Sequence, residues 1–74
     1  MATLPIVSGS ECIAAMRAIG YEVVRQKGSH VRLNCVGRSP ITVPLHKELD
    51  RGTLRSILGE SGVSIEQFMA ALRR

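Results

Sequence analysis

The spacing of apolar residues changes character along this chain. Cys12, Ala15, Met16 and Ile19 recur at helical intervals. Just before them, Ser8-Gly9-Ser10-Glu11 reads as a capping box, with Ser8 serving the first amides and Glu11 reaching back. Val7 and Cys12 stand where a hydrophobic staple pairs residues across such a cap. Gly20 is placed to end the helix in a left-handed conformation. The pattern predicts a first helix over residues 8–19.

Tyr21 to Gln26 is rich in strand formers and too short for a second helix. Lys27-Gly28-Ser29 reads as a turn. From His30 to Cys35 the period is two: Val31, Leu33 and Cys35 point one way, His30, Arg32 and Asn34 the other. Val36 to Pro40 holds a second turn around Gly37. Ile41, Val43 and Leu45 alternate with Thr42 in a third strand. Pro40 and Pro44 bracket it, which suits an edge position. Short connections predict an antiparallel meander.

Helical spacing returns from Leu49 to Gly62. Asp50 or Thr53 can cap this stretch, and Leu54, Ile57 and Leu58 form its stripe. Gly59 weakens it and Gly62 ends it. Ser64-Ile65-Glu66-Gln67 is another capping box, stapled by Val63 and Phe68. Ile65, Phe68, Met69 and Leu72 then make the apolar face of a short final helix, and Arg73 and Arg74 suit its C-terminal end. The predicted order is α-β-β-β-α-α. The fold class is α+β, with helices covering the sheet face that carries Val31, Leu33 and Cys35. The opposite face then shows His30, Arg32, Asn34 and Thr42 to solvent.

Size and charge narrow the function. The 74 residues make one domain, spanning 1–74, and a chain this short buries only about 60% of its unfolded surface. Ten Lys and Arg against six Asp and Glu leave a net charge of +4, which suits an anionic partner such as a nucleic acid. A two-domain enzyme, a Rossmann nucleotide binder and a membrane protein are excluded. The start, MATLPIVSGSE, has neither the basic region nor the apolar run of a signal peptide, so a cytoplasmic location is expected. Cys12 and Cys35 lie in no CxxC or Cys/His cluster, so no zinc site is expected. They read as two small buried hydrophobes. One Tyr, one Phe and no Trp speak against a base-stacking platform.

At Lys27-Gly28-Ser29-His30 a resemblance emerges. The chain resembles the HicA (YcfA-like) toxin family, the toxin half of bacterial type II toxin–antitoxin pairs. The likeness runs through Leu4-Pro5, Gly20-Tyr21, the segment 25–30, Thr42-Val43-Pro44 with His46, the segment 52–58, and Ile65-Glu66-Gln67-Phe68. It implies a fold like that of double-stranded RNA-binding domains (dsRBD-like). It implies an mRNA interferase, an endoribonuclease with His30 as its catalytic residue. It also implies a HicB-like antitoxin that masks this histidine.

The residues fit that chemistry. Cleaving RNA without a metal uses the neighbouring 2′-OH as nucleophile, and histidine can take or give the protons. Gly28 and Ser29 shape the turn that presents His30, and Gly28 permits close approach of a phosphate. One imidazole cannot be acid and base at once. His46 and Lys27 are the auxiliary candidates, with His30 essential and His46 modulating. No carboxylate set for a metal is evident, so no cofactor is expected and cleavage should survive EDTA. Arg25, Lys27, Arg32 and Lys47 cluster in sequence around the two histidines as an RNA grip. Arg51 and Arg55 flank a helix start whose free amides can take a phosphate. The alternatives are a non-catalytic RNA-binding module of dsRBD-like shape, and a subunit that binds only protein.

Overall fold

The computed structural model describes residues 3–73; Met1, Ala2 and Arg74 lie outside the described residues. With them goes part of the signal-peptide reading and the placing of Arg74 at the last helix end. The elements are α1 (Gly9–Ile19), β1 (Glu22–Lys27), β2 (His30–Cys35), β3 (Arg38–Pro44), α2 (Arg51–Ser61) and α3 (Ile65–Leu72). The three strands form one antiparallel sheet in the order β1-β2-β3. This is the α+β, dsRBD-like arrangement that the hydrophobic pattern and the resemblance predict.

Helix starts follow the caps. Ser8 Oγ accepts from the Glu11 amide at 3.0 Å, and Glu11 Oε1 accepts from the Ser8 amide at 2.8 Å. Ser64 and Gln67 repeat this exchange at α3. Asp50, rather than Thr53, caps α2, its Oδ1 accepting from the Thr53 amide at 2.7 Å. Gly20 closes α1 with φ 135°, wider than the left-handed helical region, whereas Gly62 closes α2 within it at φ 72°. Arg38 reinforces that second end by donating to the Ser61 carbonyl at 2.9 Å.

One apolar cluster holds the layers together. Val31 and Leu33 of β2 and Ile41 and Val43 of β3 meet Cys12 and Met16 of α1, Leu54 and Ile57 of α2, and Phe68 of α3. Both staple pairs, Val7 with Cys12 and Val63 with Phe68, are buried. Neither cysteine is in a disulfide; Cys12 is fully buried, and burial pushes its thiol up to about 12. Cys35 is only half-buried, short of the burial expected of it.

Three details depart from the sequence expectation. Tyr21 precedes β1 rather than starting it. Its ring enters the core and its hydroxyl donates to the Ser39 carbonyl at 2.7 Å. β3 begins at Arg38, so the second turn is only Val36-Gly37. A bulge on β3, between its pairings with Leu33 and Cys35, absorbs Pro40, which has no amide to give a regular ladder. Finally, the helices do not cover the whole sheet face. α1 and α2 pack on β3, while β1 contacts chiefly β2 and is exposed along all six residues.

The N-terminal segment and the β3–α2 loop lock together. The Gly9 amide donates to the His46 carbonyl at 2.9 Å, and the Leu49 amide to the Val7 carbonyl at 2.8 Å. Gly9 is buried against the end of β3, where any Cβ would collide with the Pro44 carbonyl oxygen. Glycine is required there by space, although the capping-box reading alone gives it no role.

Candidate active site

His30 opens β2 directly after a two-residue turn. Gly28 has φ 59° and Ser29 keeps a negative φ, the sign pattern of a type II′ hairpin turn with glycine first. That turn matches the twist of paired strands, so it fixes where His30 emerges. Gln26 Nε2 donates to the Gly28 carbonyl at 3.1 Å, and the Leu45 amide donates to the Ser29 carbonyl at 2.6 Å. The turn is thus held from both sides while the His30 side chain stays exposed.

Register decides which residues share its face. Residues directly opposite on antiparallel strands lie on one face, with Cβ atoms about 4.5–5.5 Å apart. Lys27 stands opposite His30. Arg25 stands opposite Arg32, and Thr42 faces Arg32 from the other side. Alternation along β2 puts His30, Arg32 and Asn34 together on this open face. The structure therefore gathers His30, Arg25, Lys27 and Arg32. Arg32 is oriented by donating to Thr42 Oγ1 at 2.8 Å. Two like charges directly opposite each other cost stability, so the Arg25–Arg32 pair is not explained by folding.

His46 and Lys47 leave the same end of the sheet, in the exposed loop after β3. Leu45, which precedes them, is bonded to Ser29, so this loop runs beside the His30 turn. The His46 backbone is anchored through its carbonyl. Hydrogen bonding from Thr53 above all, then the charge of His46 and the Gly52 amide, hold the Asp50 carboxyl below its ordinary value.

That capping corrects one sequence expectation. The Thr53 amide at the start of α2 is not free for a phosphate, because Asp50 Oδ1 accepts from it and brings a negative charge. Arg51 and Arg55 are also apart from the open face. They line a groove of about 490 Å³ on the helix side, with Leu4, Leu58, Val63 and Ile65 among its walls. Among the described residues no group of three His, Cys, Asp or Glu side chains is placed to hold a metal ion. No helix there is long and apolar enough to cross a membrane.

Sequence reasoning missed Val24 and Pro40. Between Val23 and Arg25 the ladder slips by one residue, which makes Val24 the extra residue of a bulge. Val24 then lines the open face with Arg25, Arg32, Asn34 and Pro40. Only the interrupted alternation of Val23-Val24-Arg25 hinted at this.

Taken together, these features define a small α+β domain of dsRBD-like form, with one sheet face packed by helices and a histidine among cations on the other. A family model described as the HicA toxin of bacterial toxin–antitoxin systems matches residues 9–63. The chain belongs to this family. Direct comparison with curated proteins gives no match.

Proposed function

We propose that this chain is a metal-independent endoribonuclease, an mRNA interferase, with His30 as its general acid/base. The observation that carries the reading is the single face holding an exposed His30, opposite Lys27 and beside the Arg25–Arg32 pair. An RNA backbone laid on this face meets three cations next to a histidine, the side-chain type best suited to proton transfer near neutrality. The ribose 2′-OH attacks the adjacent phosphorus as His30 takes its proton. The 5′ oxygen leaves with a proton supplied by a second group, for which His46 and Lys27 are the candidates. Arg25, Lys27, Arg32 and Lys47 hold phosphates. Arg51 and Arg55 line the helix-side groove and are left out of that grip.

The family supplies the biological setting, a toxin paired with an antitoxin. We assign the partner as a HicB-like antitoxin that covers His30. The test is cleavage of RNA in EDTA by wild type and His30→Ala, each first shown folded by circular dichroism and tested for RNA binding. Cleavage by the wild type alone, with binding kept in the variant, is the expected result. Binding without cleavage by either protein would replace the reading with a non-catalytic RNA-binding module. Abolition of cleavage by His46→Ala, with folding and binding intact, would overturn the ranking of the two histidines.

A further inference from the structure

We propose that the groove between the two sheet bulges is a nucleobase subsite, in which Asn34 reads the base and the chain thereby gains sequence preference. The proposal rests on the RNA-cleaving reading above and adds a specificity residue to it.

The groove lies on the same face as His30, with a volume of about 380 Å³, lined by Val24, Arg25, Arg32, Asn34 and Pro40. Each wall has a physical origin. The β1 bulge brings Val24 to this face, where it stays 53% exposed despite being apolar. The β3 bulge sets Pro40 on the other flank, also exposed. Bulges re-aim side chains near functional sites. Here both interrupt the ladder on either side of β2, and a polar amide stands between two apolar flanks. That is the make-up of a small-molecule subsite: apolar sides and one oriented polar group.

Asn34 is four residues from His30 on β2, so about 13 Å along the strand. Arg32, with Arg25 opposite, falls midway between them. An extended RNA strand covers that length in a few nucleotides. The order along the track is therefore a cleaving group, a cationic pair for phosphate, and an amide for a base. The carboxamide offers a donor and an acceptor side by side. Adenine presents the matching pair at N6 and N7, and such a bidentate contact discriminates against the other bases. Val24 and Pro40 provide the apolar contact that aromatic side chains supply elsewhere. Glu22, opposite Asn34 on β1, bounds the far end and disfavours a further phosphate there.

Two measurements test this. First, the cut sites of wild type and Asn34→Ala are mapped by sequencing on a randomised RNA pool. The expected result is an adenine preference at one position flanking the wild-type cut, lost in Asn34→Ala, with preferred sites cut about tenfold more slowly. Second, His30→Ala and the double variant His30→Ala/Asn34→Ala are titrated with short single-stranded RNAs differing at one base, which needs no cleavage. The expected result is a base preference in the first protein and none in the second. Cleavage by wild type without flanking preference, or a preference unchanged in Asn34→Ala, overturns the subsite while leaving the nuclease standing. Absence of cleavage with an Asn34-dependent base preference in binding does the reverse.

Discussion

The two edges of this sheet are treated differently. β3 is packed against α1 and α2, and its Ile41 and Val43 side chains are fully buried. Its start is tied by Tyr21 and Arg38, and its end is pressed on Gly9. β1 has none of this: all six residues are exposed, and its ladder is broken at Val24. The difference teaches how 74 residues divide their work. Stability is concentrated where helices cover the sheet. The uncovered edge keeps like charges and apolar groups in water that a purely structural strand would not keep. β1 also carries charges and a bulge, the devices that stop an edge from pairing with another chain.

The sharpest way to break this comparison is to cut into each half at its centre. Leu33 is fully buried, so Leu33→Ala should cost about 2–5 kcal/mol and depress the unfolding midpoint steeply. His30→Ala, on the same strand, should leave that midpoint unchanged and reduce cleavage by about 10²–10⁴-fold. Thermal unfolding and cleavage rates, measured on both variants, check the pair. A large midpoint loss in His30→Ala would erase the division of labour.

A smaller effect should follow from the cations. Replacing Arg25 and Arg32 with Gln removes two phosphate contacts and a like-charge pair. RNA affinity should fall, and the slope of log affinity against log salt should flatten by about 0.7 for each cation removed. Fold stability should hold or rise slightly. Binding titrations over a range of salt decide this; an unchanged slope would take the open face out of RNA contact. Tyr21→Phe probes the packed side at similar scale. It deletes only the hydroxyl bonded to Ser39, and should cost about 1 kcal/mol with no change in salt slope.

Much of this division is written locally in the chain, and the part that is not has a common cause. The capping boxes at Ser8 and Ser64 act over a single helical turn, so the helix starts are legible. Alternation from His30 to Asn34 is likewise local, and by itself it places the histidine and Arg32 on one face. Arg25 and Lys27 needed the register, because a bulge shifts which residue faces which. Gly9 looks like part of a cap, yet its real constraint comes from Pro44, far along the chain. Tyr21 fits a strand by propensity, but the core offers its ring more burial than the ladder offers its backbone. Arg51 and Arg55 sit near His46 in sequence and on another surface in space, because α2 turns them to the helix side.

Gly59 extends the comparison to the helix layer. It lies exposed inside α2, and a Cβ there would meet nothing. Glycine costs a helix interior about 1 kcal/mol against alanine, so Gly59→Ala should stabilise the fold by up to that amount. A midpoint raised by a few degrees, with cleavage unchanged, is the expected outcome. Loss of stability would show a steric constraint on this surface that the packing around Gly59 does not reveal.

The smallest effect separates Asp50 from the open face by pH. Its carboxyl is held below the ordinary value, first by the Thr53 amide and more weakly by His46. A carboxyl more acidic in the folded chain contributes stability that is full above its unfolded pKa. That contribution fades as pH falls through the folded value. Asp50→Asn keeps a capping oxygen but removes the charge. The unfolding midpoint of the wild type should therefore exceed that of the variant slightly at pH 7. The two should converge only as pH falls through the folded carboxyl's value, which lies below that of an unfolded aspartate, until both caps are neutral. A gap that persists in acid would mean that Asp50 acts through shape rather than charge. The α2 N-terminus would then be less hostile to a phosphate than its carboxylate cap makes it.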